Sequence, residues 1–345
     1  MEMGAGLFGG VVGFGNVRGR RLFLFGVAIV YESHFGLQRK PFAMTPDPSF
    51  LYQTENHREA LAALVYGVLG EKGFIVLTGD AGTGKSTLIS RVLRSIPKSK
   101  AAFSLVLNPT LTVDEFLESA LIDFGIENVP STKVRRLLAL QQFLMAARAS
   151  GRICVLVVDE AHKLSSEVLE EIRLLTNFEN AERKLLQILL AGQTELRDTL
   201  NAEELRQLKQ RIAVRCELRP LSNGEVADYM NYRWAIAGGS VRAPFEQDAV
   251  RFIAHASRGI PRVVNALCDN ALTSVYATGD KLVKGHHAKQ AAQDLDLEEK
   301  EFYLPAFAPQ LNGRATNIRL HLPEAEPIQP VPENRGFRVR LRVRR

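Results

Sequence analysis

The sequence predicts an α/β fold: a parallel β-sheet flanked by helices, built around a phosphate-binding loop and followed by a small all-α domain. Three observations carry this prediction. Short apolar runs alternate with helix-period segments as far as Leu218. The string GDAGTGKST, Gly79 to Thr87, matches G-x-x-x-x-G-K-[ST] at each fixed position. From Leu221 onward only helical periodicity remains.

Residues 1–29 are glycine-rich and carry Arg18, Arg20 and Arg21 ahead of an apolar run, Leu22 to Val30. That run has nine residues, against the roughly 20 needed to span a bilayer, and no small-residue cleavage site follows it. The segment reads as a mis-started or disordered extension, with Val30 as an alternative start. Tyr31 to Tyr52 is rich in aromatics and proline and reads as an ordered, extended lead-in rather than a helix. Asn56 with Glu59 makes a capping box for a helix carrying Leu61, Leu64, Val65, Val68 and Leu69.

Phe74 to Thr78 is a strand by its β-branched and aromatic content. Leu88, Ile89, Val92, Leu93 and Ile96 place a helix directly after the glycine loop. Strand, loop, helix is the order that aims backbone N–H groups and a helix dipole at phosphate oxygens. The phosphate-binding residues are therefore Gly79, Asp80, Ala81, Gly82, Thr83, Gly84, Lys85, Ser86 and Thr87.

Ala101 to Pro109 is a second strand, ending near Asn108. Two helical segments follow, the later one stopped by Gly151. Ile153 to Val158 is wholly apolar, as a strand buried on both faces must be, and it delivers Asp159 and Glu160 at its C-terminal end. Ligands of open α/β sheets bind at that edge. A helix with Val168, Leu169, Ile172, Leu175 and Phe178 follows, then a buried strand over Leu185 to Leu196 with Gly192 and Gln193. A basic helix and the short strand AVRCEL close the sheet.

Ser222 and Glu225 form a capping box for a helix with Val226, Tyr229, Met230 and Trp234. A second helix buries Ala249, Phe252, Ile253 and Ala256, and Pro261 opens a third at its first position, where proline is tolerated. A short helix around Ala288 to Leu295 completes the bundle. The organisation is thus 1–29 extension, 30–220 nucleotide-binding core, 221–298 helical lid and 299–345 a mostly disordered basic tail.

The net charge of +6 belongs to the ends: residues 1–29 carry +2 and 335–345 carry +6, leaving −2 for the rest. The tail FRVRLRVRR could meet nucleic acid or an anionic surface, or be an uninvolved basic tail, which is the preferred reading. Cys154, Cys216 and Cys268 are far apart and lack a C-x-x-C spacing, which argues against a disulfide framework or zinc site.

The strings FGLQRKPFAMTPDPSFLY, HREALAALVYGV, GDAGTGKST, VLVVDEAH, LLAGQTEL, RQLKQRIAVRCELRPLS and RGIPRVVNALCDNAL together resemble an AAA+ P-loop ATPase. More narrowly they resemble the ATPase domain of the general secretion pathway protein A (ExeA-like) group, in the same order, over roughly residues 31–297. The resemblance implies Mg²⁺-dependent ATP hydrolysis. Lys85 would bind the β- and γ-phosphates, Ser86 and Asp159 would hold Mg²⁺, and Glu160 would activate water. It further implies that Gln193 is a first sensor, Arg262 of RGIPR a lid sensor, and Asn108 a restraint on Glu160. Arg211 would be a finger acting on a neighbouring copy, with Arg206 and Arg215 as competitors. His162 reads as a neighbour of the site and not catalytic. Residues near Phe42 and Pro46 are either base-pocket or core residues. The implied partners are further copies of the chain and a remodelled protein complex, envelope-related by family only; the alternative is a nucleotide-dependent switch on DNA. The implied location is cytoplasmic, at most peripheral to the inner membrane.

Overall fold

Apolar residues alternate between two sides along each strand, and that alternation places helices on both faces of the sheet. In the computed structural model, residues 31–45, 47–107, 109–179 and 183–297 are described. The predicted extension 1–29, Pro46, Asn108 and the basic tail lie outside the described residues.

The chain opens with α1 (Glu32–Phe35) and a 3-10 turn (Pro48–Phe50), then α2 (Glu55–Leu69), β1 (Phe74–Gly79) and α3 (Lys85–Ser95). There follow β2 (Ala101–Val106), α4 (Val113–Asp123), α5 (Lys133–Ala149), β3 (Ile153–Val158) and α6 (Ser166–Leu175). The sheet region ends with β4 (Leu186–Gly192), α7 (Glu195–Asn201), α8 (Arg206–Gln210) and β5 (Val214–Leu218). Four helices complete it: α9 (Asn223–Ile236), α10 (Gln247–Ala256), α11 (Pro261–Thr278) and α12 (Gly285–Asp294).

All strand pairs are parallel, in the order β2-β3-β4-β1-β5. Phe74 and Val76 of β1 face the cluster built with α4 to α8. Ile75 and Leu77 face the other cluster, built with α2 and α3. Because β4 lies between β1 and β3, the C-terminal ends of these three strands bring the phosphate loop, Gln193 and the acidic pair side by side.

The capping box at Ser222 is formed, its hydroxyl accepting from Glu225 N while the Glu225 carboxylate accepts from Ser222 N. Several expectations are corrected. Helix α2 is capped by Thr54, which accepts from His57 N, and not by Asn56. The Asn56 amide instead bonds across to Glu217 O and Arg219 N beyond β5. Leu69, at the end of α2, is exposed. The lead-in contains a helical turn, α1, closed by Gly36 in the left-handed region at φ 68°. Strand β4 stops at Gly192, and Glu195 to Leu196 already belong to α7. Phe178 lies past the end of α6, packed against the core from the following turn. On α10, Ala254 is buried where Ala256 was expected.

The lead-in is a strap across the terminal helices. Tyr31 hydroxyl bonds Asp269, Gln38 N donates to Ala237 O at 2.8 Å, and Arg233 Nε donates to Pro41 O at 2.6 Å. Phe35 meets Trp234 edge-on, and Arg233 lies 4.7 Å over the Phe50 ring. All three cysteines are free and buried.

Candidate nucleotide site

Helix α3 begins at Lys85, so the loop's last N–H groups and the helix N-terminus share one direction, the arrangement that binds anions. The Lys85 ammonium donates to Gly79 O at 2.7 Å and Asp80 O at 2.9 Å. Burial pulls its pKa down, while Glu160 and Asp159 oppose that shift. A buried cation held on carbonyl oxygens is poised for a stronger anionic partner.

Ser86 hydroxyl donates to Asp159 Oδ2 at 2.6 Å, and Glu160 N donates to Asp159 Oδ1 at 2.9 Å. The Asp159 carboxylate is 6% exposed and lies directly behind Ser86. A hydroxyl beside a carboxylate is an all-oxygen donor set, which suits Mg²⁺ better than softer metals. Among the described residues no three His, Cys, Asp or Glu side chains form a metal-holding group. The set therefore fits an ion that takes its other ligands from phosphate and water.

Glu160 adopts the left-handed region at φ 53°, a conformation that costs a non-glycine residue about 1–2 kcal/mol. Its carboxylate faces His162 Nε2 and Lys163 Nζ, both at 3.7 Å. Backbone strain of this kind persists where surrounding contacts over-determine it. Here Asp159 Oδ1 holds the strained N–H, and the turn Ala161–Lys163 packs on the end of β4.

A cavity of about 430 Å³ opens over the loop. It is lined by Ala81 to Thr87, seven of the nine loop residues, together with Glu160, Gln193 and Arg262. Arg262 arrives from the first turn of α11, its N–H donating to Gly82 O at 3.3 Å. A Cβ on Gly82 would lie 2.7 Å from Arg262 Cβ, so glycine is required for this approach, at φ 82°.

Arg211 does not line the cavity. It donates to Thr176 hydroxyl and to Asn177 Oδ1 at the end of α6. Arg206 and Arg215 are exposed. Phe42 is fully buried and edge-on to Phe245, a core residue, whereas its neighbours Ala43 to Thr45 and Asp47 line the cavity. Sequence reasoning missed His57: its Nδ1 accepts from Thr54 hydroxyl and its Nε2 lies 3.4 Å from Thr83 O in the loop. The only sequence signal was its place three residues after the cap. Tyr229, Arg233 and Asn265 also reach the cavity from the terminal helices.

Residues 68–200 match the family model described as an AAA domain. General secretion pathway protein A of Aeromonas hydrophila is 41% identical over 258 residues, which is 74% of this chain and 47% of that protein. The chain thus spans about half the length of that relative. ATP-dependent target DNA activator B of Escherichia phage Mu is 24% identical over 74% of this chain and 77% of its own. Among solved structures, Drosophila ORC bound to DNA matches 82% of this chain and 71% of its own at TM-score 0.61 and 18% identity, a likeness of fold. With the loop, the acidic strand end and the sheet order all in place, residues 68–200 carry the AAA domain match and the chain resembles the ATPase region of the general secretion pathway protein A group.

Proposed function

We propose that this chain binds Mg²⁺·ATP and hydrolyses it, using the cycle to remodel or assemble a protein complex. The observation that carries the reading is the convergence of the loop, the Ser86–Asp159 pair, Glu160, Gln193 and Arg262 on one cavity edge. Bound Mg²⁺ would supply charge neutralisation for the phosphates. Lys85 would exchange its carbonyl partners for phosphate oxygens, and Ser86 and Asp159 would hold the ion. Glu160 would take the proton of the attacking water. Gln193 and Arg262 would sense the terminal phosphate, coupling its loss to movement of α9–α12, the proposed lid over residues 221–298. Arg211 would act on a neighbouring copy only after giving up its bonds at the end of α6. An oligomer, a cytoplasmic setting and a link to secretion are part of the proposal, the last supported by the name of the Aeromonas relative. Among the described residues no helix is long and apolar enough to cross a membrane.

The test is Glu160→Gln in the full chain. Turnover should fall about 10²–10⁴-fold, the usual share of a general base, while ATP binding measured by calorimetry is kept. Ordinary turnover would remove the assignment.

A second reading, a nucleotide-dependent switch on DNA, is favoured by the fuller coverage of the phage Mu activator, 77% of its length. It expects DNA binding that weakens with salt and on deletion of residues 335–345. Salt-independent binding, or none, removes that reading.

A further inference from the structure

We propose that His162 is a positioning residue for hydrolysis: through one ring N–H it orients the Gln193 amide beside the Glu160 carboxylate. The proposal rests on Glu160 acting at bound ATP. His162 sits in the single turn after Glu160, with its side chain 13% exposed. That turn is pressed onto the end of β4, since a Cβ on Gly192 would lie 3.0 Å from His162 N. The ring therefore lands against the residue that follows Gly192.

Gln193 N donates to His162 Nδ1 at 3.3 Å. A backbone N–H can only donate, so Nδ1 must present its lone pair, and the neutral ring carries its proton on Nε2. That Nε2 lies 3.2 Å from the terminal atom placed as Gln193 Nε2. Two donors would then face each other. Amide oxygen and nitrogen are assigned by their bonding network, and the network here puts the amide oxygen on the ring N–H. The Gln193 NH₂ is left for the cavity that Gln193 lines, where it can donate to a phosphate oxygen or to water. Glu160 Oε2 lies 3.7 Å from the same ring nitrogen, a neighbour beyond hydrogen-bond reach.

One side chain thus ties the end of β4 to the end of β3 on the cavity rim. A histidine that merely filled space there would have no preferred tautomer and no tie to Gln193.

The experiment is a kinetic and spectroscopic set on the full chain. His162→Ala should lower kcat about 10–100-fold, the scale of a misplaced reacting group, with ATP affinity little changed. His162→Gln, whose terminal N–H can take the place of ring Nε2–H, should recover most of the loss. In a double-mutant cycle, Gln193→Ala should add little to His162→Ala. The ¹⁵N shifts of the His162 ring in the unmutated chain should report the Nε2–H tautomer, so the proposal is decided even where His162→Ala does not fold. Unchanged kcat in His162→Ala, fully additive losses, or an Nδ1–H tautomer would each overturn it. Normal turnover by Glu160→Gln would instead sink the assignment of the base, leaving the tautomer and the Gln193 coupling to be judged on their own readouts.

Discussion

The sheet edge and the seat of the terminal helices solve the same problem in different ways. At the edge, every group comes from a contiguous string and is already bonded: Lys85 to the loop carbonyls, Ser86 to Asp159, Asp159 to Glu160 N. At the seat, the contact is a backbone fit between distant segments, Gly82 against Arg262 and Gly259 against Leu221. The Arg262 guanidinium makes no hydrogen bond or ion pair among the described residues. The first region is preorganised electrostatics, which costs little rearrangement when charge arrives. The second is a steric match that can part and close again, as a moving element requires.

The largest effect should come from spoiling that match at its root. Gly259 lies at φ 70°, and a Cβ there would sit 1.9 Å from Leu221 O. Gly259→Ala should destabilise the chain by about 3 kcal/mol, from left-handed strain plus backbone displacement. Urea unfolding followed by circular dichroism would read it, and a loss below 1 kcal/mol, roughly the cost of the strain alone, would mean the approach is not tight.

Gly82→Ala is the sharper probe, because it touches the loop and α11 together. The added methyl should cost about 1–2 kcal/mol through its positive φ. It should also push Arg262 off the loop, so ATP turnover drops more than stability does. Equal turnover to the parent would place Arg262 outside the chemistry and leave the sheet edge to act alone.

The smallest effect concerns His57, which joins α2 to the loop. Burial holds its pKa below the usual histidine value. Below about pH 6.5 the unfolded chain takes up a proton that the folded one resists, so stability falls on acidification. Melting temperatures at pH 7.5 and 5.5 should differ less in His57→Gln than in the parent. An unchanged difference would show that His57 does not contribute to the acid sensitivity.

The comparison also separates what could be read from what could not. The glycine loop, the acidic strand end and Gln193 were legible because each is a short string at a strand's end, where a parallel sheet must present its ligands. The cap of α2 was misread because Asn56 and Thr54 both suit a helix start, and a partner 161 residues away claimed the Asn56 amide. The short helix α1 was missed because aromatics and prolines hid one turn closed by Gly36. His57 was not legible as a loop contact, and His162, legible as a neighbour of the site, was not legible as a partner of Gln193, since nothing local says what a histidine will face.

By itself, the sequence determined the alternation of strands and helices, the phosphate-binding loop and the acids that follow β3. Periodicity and fixed spacing are local properties, and burial on both faces of the sheet leaves few other solutions. Only the tertiary structure decided that β4 lies between β1 and β3, that the lead-in straps the terminal helices, and that Arg262 meets the loop at Gly82. Those placements depend on contacts between residues far apart in the chain, whose geometry is set by packing and by where backbone can approach backbone.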